Sequence, residues 1–493
     1  MRNIHPIKAI TLILFGLFSI GAVLLGVNRL SFLYPGPAIA VVGLALIVLM
    51  VGWVLGDLWG ARFVPLVHVL GLECLFNRWQ SFQPKGRDSL ILDTHIRIVH
   101  SVAESAFPSL DELRLVKAFP GTKIKSGAFL LRAGQARPLV LKLDSAANIQ
   151  EEKDRYASCV AHRLGQTPGE PWVPPQRYWQ IEGQGYWGAI AYNLIGADGA
   201  DLEHLQSFGE YYVTHDASQE IAGALRYIFD ALAPWWTTSM AGNELCAQWR
   251  RATLYEEYDR LKRNRPQMET GLRQVGQALQ FEILQTINAD RKYVDLEGDT
   301  RLRNPLNWIK DVFEAGQLGE WITQGMLRRD SIVHGDLHGG NILVSQDRVG
   351  QIRAWVIDFP HVHVGPTVQD MARLEADIKF GLLADDTLRG LSLGDLLCFE
   401  ITLLPTSDQP APTLADLMPG SNGQADAQLS KARQAVCLLR KEACTAMAGN
   451  DARPYYLALL HATLPVLYYR DRTPRQKLYA FLSAALLCER LGG

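Results

Sequence analysis

Two long apolar runs open the chain, and neither is broken by a charge. Residues 9–27 form the first and residues 37–55 the second, each long enough as a helix to cross roughly 30 Å of hydrocarbon. Asn28 to Pro35 between them is turn-forming, with Phe32 and Tyr34 suited to an interface. The pattern predicts a transmembrane hairpin over residues 1–62, so the lipid bilayer is the first expected partner. A cleaved signal peptide fits less well, because the small-residue stretch Ala38-Ile39-Ala40 lies inside the second run. Arg2, Lys8, Arg62 and Arg78 flank the pair and only Arg29 lies between, which by the positive-inside bias puts both ends in the cytoplasm. The expected location is the inner (plasma) membrane, multi-pass. Phe63 to Phe76 is apolar but too short to span, and Asn77 to Ser89, with Pro84-Lys85-Gly86, is polar; residues 63–89 read as a juxtamembrane segment and linker.

From Leu90 the period changes. Short strand-like runs occupy Leu90 to Leu92, Ile96 to Val99 and Leu113 to Phe119. Phe119 to Arg132 reads as a hairpin whose turn, with Gly121, Ser126 and Gly127, can cover phosphates with backbone N–H groups. Leu139 to Leu143 alternates as a strand carrying one lysine, Lys142, and Ile149 to Leu164 reads as a helix offering Glu151 and Glu152. Trp187 to Gly196 is the last strand before helical text takes over at Ser218 to Trp235, Glu244 to Asn264 and Trp308 to Arg328. Helical text resumes beyond Asp370, interrupted by a loop at 405–424. Pro454 to Leu491 is apolar, but its interspersed Arg and Lys make it core helices, not a third span.

Composition removes several classes. A net charge of -2 with no basic block gives no reason to expect a nucleic-acid partner. Seven scattered cysteines without a C-x-x-C pair argue against a disulfide framework or zinc site and fit a reducing compartment. Cys437 and Cys444, two helical turns apart, read as packing residues.

The chemistry concentrates in His334-Gly335-Asp336-Leu337-His338-Gly339-Gly340-Asn341, followed by the apolar Ile342-Leu343-Val344. Phosphoryl transfer needs a carboxylate near the acceptor hydroxyl and oxygen ligands for the metal ions on the phosphates. Asp336 supplies the first, and Asn341 can present an amide oxygen. Trp355 to Phe359 is a second strand-like run, ending in another carboxylate, Asp358. His334 reads as a brace of the loop and His338 as a turn residue; His361 and His363 could reach the site but receive no role.

These residues resemble the aminoglycoside and choline kinase-like phosphotransferases, the small-molecule branch of the protein-kinase-like fold, which carry His-Gly-Asp-x-x-x-x-Asn. The resemblance continues through Gly365-Pro366 to Asp370-Met371-Ala372-Arg373-Leu374, and departs from a strict Asp-Phe-Gly because Pro360 follows Asp358-Phe359. It implies an α+β, bilobal protein-kinase-like fold: a β-rich N-lobe over 90–195 and a helical C-lobe over 196–493, preceded by the two transmembrane helices. It implies ATP and Mg²⁺, with Asp336 as base or hydroxyl-orienting group, Asn341 and Asp358 as metal ligands, and Asp370 as brace of the loop. Lys142 and Glu152 would clamp the phosphates; Glu152 is favoured over Glu151 because the family places its glutamate one turn before an aromatic, here Tyr156. Backbone groups from Ala191 to Asn193 would meet the adenine. The long stretch before the catalytic loop marks residues 235–305 as an insertion and a place for acceptor recognition, with Arg301, Arg303 and Asn304 as surface groups. The expected activity is a membrane-anchored transfer of the ATP γ-phosphate to a hydroxyl acceptor, a small molecule. A membrane-tethered protein kinase of a signalling or defence complex and a nucleotide-binding pseudokinase scaffold stay open, as do the acceptor's identity and the oligomeric state.

Overall fold

A computed structural model describes residues 113–119, 127–133, 139–161, 171–172, 179–181, 185–194, 205–215, 218–237, 249–252, 254–296, 300–313, 326–346, 351–404, 427–447 and 451–492. The chain divides into two units, residues 1–83 with 111–115, and residues 84–110 with 116–493; the site lies in the second. The expected transmembrane hairpin, the runs at 90–92 and 96–99, Gly121, Ser126 and the 405–424 loop fall outside the described residues. Among the described residues no helix is long and apolar enough to cross a membrane.

The strand-rich part comprises β1 (Leu113–Phe119), β2 (Gly127–Ala133), β3 (Leu139–Ser145), helix α1 (Ala146–Tyr156), β4 (Pro171–Trp172), β5 (Trp179–Ile181) and β6 (Gly185–Asn193). Its sheet runs β1-β2-β3-β6-β4, with β5 beside β6. Strand β3 is central: Lys142 stands opposite Ala128 on one side and Ile190 on the other. Val140, Leu141 and Leu143 are fully buried around it, each contributing about 1.5–3 kcal/mol by leaving water. Helix α1 starts where the Ser145 hydroxyl accepts from the Asn148 N–H at 3.2 Å. Ile149, Glu152 and Tyr156 recur at helical spacing on its buried face, while Glu151 turns outward to pair with Arg155.

The helical part begins with β7 (Gln206–Ser207), α2 (Phe208–Thr214), α3 (Ser218–Thr237), β8 (Trp249–Ala252), α4 (Leu254–Ala278), α5 (Glu282–Gln285), β9 (Tyr293–Asp295), β10 (Arg301–Arg303) and α6 (Pro305–Phe313). It continues with β11 (Met326–Val333), β12 (Ile342–Gln346), β13 (Ile352–Val356), β14 (His363–Pro366), α7 (Gln369–Asp377), α8 (Asp385–Arg389), α9 (Leu393–Leu403), α10 (Ala427–Ala446), α11 (Arg453–Thr463) and α12 (Pro474–Arg490). Two small sheets, β14-β11-β8 and β13-β12-β7, hold the two ends of the loop from His334 to Asn341.

Several expectations are corrected. The helix expected over Glu244 to Asn264 starts only at Leu254, because Trp249–Ala252 is a strand pairing with Met326–Arg329. Of the helix expected over Trp308 to Arg328, the described part lies in Pro305–Phe313, and Met326–Arg328 belong to β11 for the same reason. Both errors come from a long-range pairing that local periodicity does not carry. Within the 235–305 stretch, Met268, Leu272 and Val275 of α4 are buried, and a Cβ on Gly271 would lie 2.0 Å from the Leu467 carbonyl oxygen, so only glycine permits this approach. Arg301 is exposed as expected, but Arg303 and Asn304 are buried. Arg303 pairs with Asp311 at 2.6 Å, and the Asn304 amide donates to the carbonyls of Asn288 and Arg291.

Helices α7, α9, α10, α11 and α12 enclose a sealed ionic cluster. Arg440 grips Glu375 through two bonds of 2.8 and 2.6 Å, and the Tyr455 hydroxyl donates to the same carboxylate. Lys379, just past α7, donates to Glu400 at 2.5 Å, and Ser483 and Tyr479 complete that carboxylate's shell. All four charged side chains are fully buried. Burial alone would raise the Glu375 carboxyl, but Arg440, helped by Lys379 and Tyr455, holds it below its ordinary 4.5.

Candidate active site

The loop between β11 and β12 is read off the chain by helix α7. Asp370, Arg373 and Asp377 lie on one face of that helix, at i, i+3 and i+7. The Asp370 carboxylate accepts the backbone N–H groups of His334 and Gly335 at 2.7 and 2.9 Å. Arg373 donates its Nε–H to Asp336 Oδ1 at 2.9 Å, and Asp377 accepts the Gly339 N–H at 2.8 Å. Gly335 has φ +81°, and a Cβ there would lie 2.2 Å from the His361 carbonyl oxygen. A side chain is excluded twice over, by backbone conformation and by space.

His334 is buried, donates from Nε2 to the Ile357 carbonyl at 3.0 Å, and packs on the Phe359 ring. His338 Nδ1 accepts from Gly340 N–H at 3.1 Å and opens the turn to Asn341. Asn341 spends its amide N–H on the Asp336 carbonyl at 3.0 Å, which leaves Oδ1 as the atom able to face a cation. Its own carbonyl accepts from Ile357 N–H, so Asp358 emerges beside it.

On the sheet side, Lys142 Nζ bonds to Glu152 Oε2 at 2.8 Å and to Asp358 Oδ1 at 2.5 Å. Burial works against the Lys142 ammonium, but the two carboxylates outweigh it and raise its pKa well above the usual lysine value. Glu152 also accepts the Tyr192 hydroxyl and the Phe359 N–H. Asp358 adopts φ +73°, a conformation that costs a non-glycine residue about 1–3 kcal/mol. Phe359 holds it there: the ring is fully buried among Tyr156, Tyr192, Trp235 and His334. With one ammonium against two carboxylates, the cluster has surplus negative charge, and the Asp358 side chain is a third exposed.

Lys142, Glu152 and Asp358 therefore meet directly, while Asp336, Asn341, His334 and Asp370 meet in the loop, and Ile357 ties the two groups together. Gly127 begins β2 opposite Leu143. Ala191 requires a correction: its backbone lies inside the sheet between Leu141 and Trp172, not on a free edge open to a base. Asn193 is the last residue of β6, opposite Leu139. His361 and His363 are not idle, since the His361 carbonyl closes on Gly335 and accepts from His363 Nδ1 at 2.7 Å. Arg373 and Asp377 went unassigned in the sequence; their signal was the helical spacing from Asp370.

Asn341 Oδ1 and the Asp358 carboxylate are hard oxygen donors, a set that suits Mg²⁺ shared with phosphate oxygens better than an all-protein cage. Among the described residues no group of three or more His, Cys, Asp or Glu side chains could hold a metal.

A family profile described as Ternary complex associated domain 9 matches residues 278–467, well under half of the chain. No curated protein matches the sequence. Solved structures it is similar to include small-molecule kinases. An ethanolamine kinase from Plasmodium vivax is 12% identical over 82% of this chain and 95% of its own, with a TM-score of 0.34. A glucosamine kinase in complex with glucosamine, ADP and inorganic phosphate is 13% identical over 77% and 74%, with a TM-score of 0.30. An amicoumacin kinase in complex with AMP-PNP and Ca²⁺ is 12% identical over 71% and 80%, with a TM-score of 0.28. At these scores the likeness decides nothing about function.

Proposed function

We propose that this chain is an ATP-dependent phosphotransferase of protein-kinase-like fold that moves the γ-phosphate to a hydroxyl group. One observation carries the reading: Lys142 joins Glu152 of helix α1 to Asp358, and Asp358 emerges beside the loop that holds Asp336 and Asn341. Lys142 would hold the phosphate oxygens, kept in place by Glu152. Asn341 and Asp358 would hold Mg²⁺, which when bound neutralises phosphate charge.

Asp336 orients the acceptor hydroxyl. Burial favours its protonated form, but Arg373, His338 and His334 outweigh burial and keep its pKa below the usual carboxylate value. Such a group is a weak base, so it positions the hydroxyl and takes the proton late, as the new O–P bond forms and the bond to the departing ADP breaks. Most of the rate would come from charge held in place in advance.

The acceptor we favour is a small molecule, on the His-Gly-Asp form of the loop. A protein acceptor is favoured by one observation, the matching family's description as associated with a ternary complex. Purified full-length chain incubated with γ-labelled ATP and Mg²⁺, then with a metabolite extract, separates the readings. Label in a small molecule supports the first, label in a protein supports the second, and absence of both nucleotide binding and turnover sinks the assignment.

The same reading includes a tether at the inner membrane through residues 9–27 and 37–55, with the catalytic part in the cytoplasm. Apolar helices inserted in lipid are not released by screening charge, so the full chain should stay in the membrane fraction after high-salt and carbonate washing. Release by carbonate would remove the tether and leave the phosphotransferase reading untouched.

A further inference from the structure

We propose that Arg373 is the positioning residue of Asp336, an inference that rests on the phosphotransferase reading. Helix α7 fixes the loop at three points, and at two of them Asp370 and Asp377 take the loop by its backbone N–H groups. Arg373 is different, because its Nε–H holds the Asp336 side chain itself, at 2.9 Å. Asp336 Oδ2 faces His338 Nε2 at 3.8 Å, too far for a hydrogen bond. One carboxylate oxygen is therefore anchored and the other left for the acceptor hydroxyl.

The anchor is itself stiff. Arg373 is only 19% exposed and its guanidinium is flanked by Asp336, Asp377 and Tyr469. Asp377 is in turn held by Arg472 and by the Gly339 N–H. An aspartate side chain on a loop has two soft torsions, and misplacing a reacting group by about 1 Å can cost on the order of 100-fold in rate. Among the described residues the Arg373 side chain contacts neither Lys142 nor Glu152, nor Asn341 nor Asp358, so Arg373 should act on turnover and not on nucleotide affinity.

The test is a double-mutant cycle on the full-length chain, with Mg-ATP as the probe and water as the acceptor. Asp336→Asn should lower turnover by roughly 100-fold or more and Arg373→Gln by about 10- to 100-fold, each with Mg-ATP affinity within about twofold of wild type. Because Arg373 acts through Asp336, the double variant should be no slower than Asp336→Asn alone. Arg373→Lys keeps the charge but loses the fixed fork, so it should fall between Arg373→Gln and wild type; it also decides the case if Arg373→Gln does not fold. Wild-type turnover in Arg373→Lys and Arg373→Gln, or multiplied losses in the double variant, would overturn the inference. A wild-type chain that neither binds nor turns over Mg-ATP would instead bring down the parent reading, and this one with it.

Discussion

Two ionic clusters in this molecule use the same side chains to opposite ends. In the helical part, Glu375 and Glu400 face Arg440 and Lys379, so charge is balanced and every group is sealed from water. At the candidate site, Glu152 and Asp358 face Lys142 alone, Asp358 is a third exposed, and its backbone is held at φ +73°. Surplus charge, access and strain come together at one carboxylate, and they are absent from the four charged groups of the other cluster. A balanced buried cluster adds little net stability but is costly to break; an unbalanced open one leaves a carboxylate looking for a cation. The difference separates a structural use of charge from a chemical one.

The largest effect should come from breaking the balanced cluster. Glu375→Gln leaves Arg440 buried without its counter-charge, which should cost about 3–5 kcal/mol and appear as a large fall in the thermal midpoint. Replacing both partners, Glu375→Leu with Arg440→Met, should recover most of it. A Glu375→Gln variant as stable as wild type would show that the cluster is not closed. At the open cluster the expected order reverses. Asp358→Asn tolerates the left-handed backbone and should leave the midpoint within a few degrees, yet weaken Mg-ATP binding by roughly 100-fold, the scale of a charged bond to a metal-bound phosphate. Unchanged nucleotide-induced stabilisation would remove Asp358 from the site.

A smaller effect is expected at Lys142. Arginine there keeps the charge but spreads it over a planar fork that cannot point at Glu152 and Asp358 as one ammonium does. Lys142→Arg should reduce turnover by about tenfold, with Lys142→Ala lower still. Equal rates in all three proteins would make Lys142 an ordinary strand residue.

How much of this was legible in the sequence follows from the range of each interaction. The loop from His334 to Asn341 was legible because its parts are close in sequence. Lys142 and Asp358 could be named separately, but their contact spans the chain and needed the family pattern. The choice of Glu152 over Glu151 also came from that pattern, and α1 gives the physical reason: Ile149, Glu152 and Tyr156 share the inner face. Strand β8 and the first three residues of β11, Met326–Arg328, were misread as helix because what makes them strands is each other. Arg303 looked like a surface group because nothing local announces Asp311 as its buried partner. Arg373 was read as part of a motif, and only the fold shows what its side chain holds.

The smallest predicted effect is a pH dependence that belongs to the balanced cluster. The Glu375 carboxyl lies below its ordinary 4.5 when folded, despite burial, because Arg440 and then Lys379 and Tyr455 favour its charged form. A carboxylate depressed in the folded state binds its proton more readily in the unfolded chain. Its contribution is therefore complete above the unfolded value and is lost as pH falls through the folded one. Thermal midpoints should be insensitive to this group from neutral pH down to about pH 5 and should fall below that. The double variant Glu375→Leu with Arg440→Met lacks the group and should lose less on acidification, by up to about 1.4 kcal/mol per pH unit. Parallel acid limbs for wild type and the double variant would mean that Glu375 keeps its ordinary affinity for protons, and that the cluster is not the closed counterpart of the site.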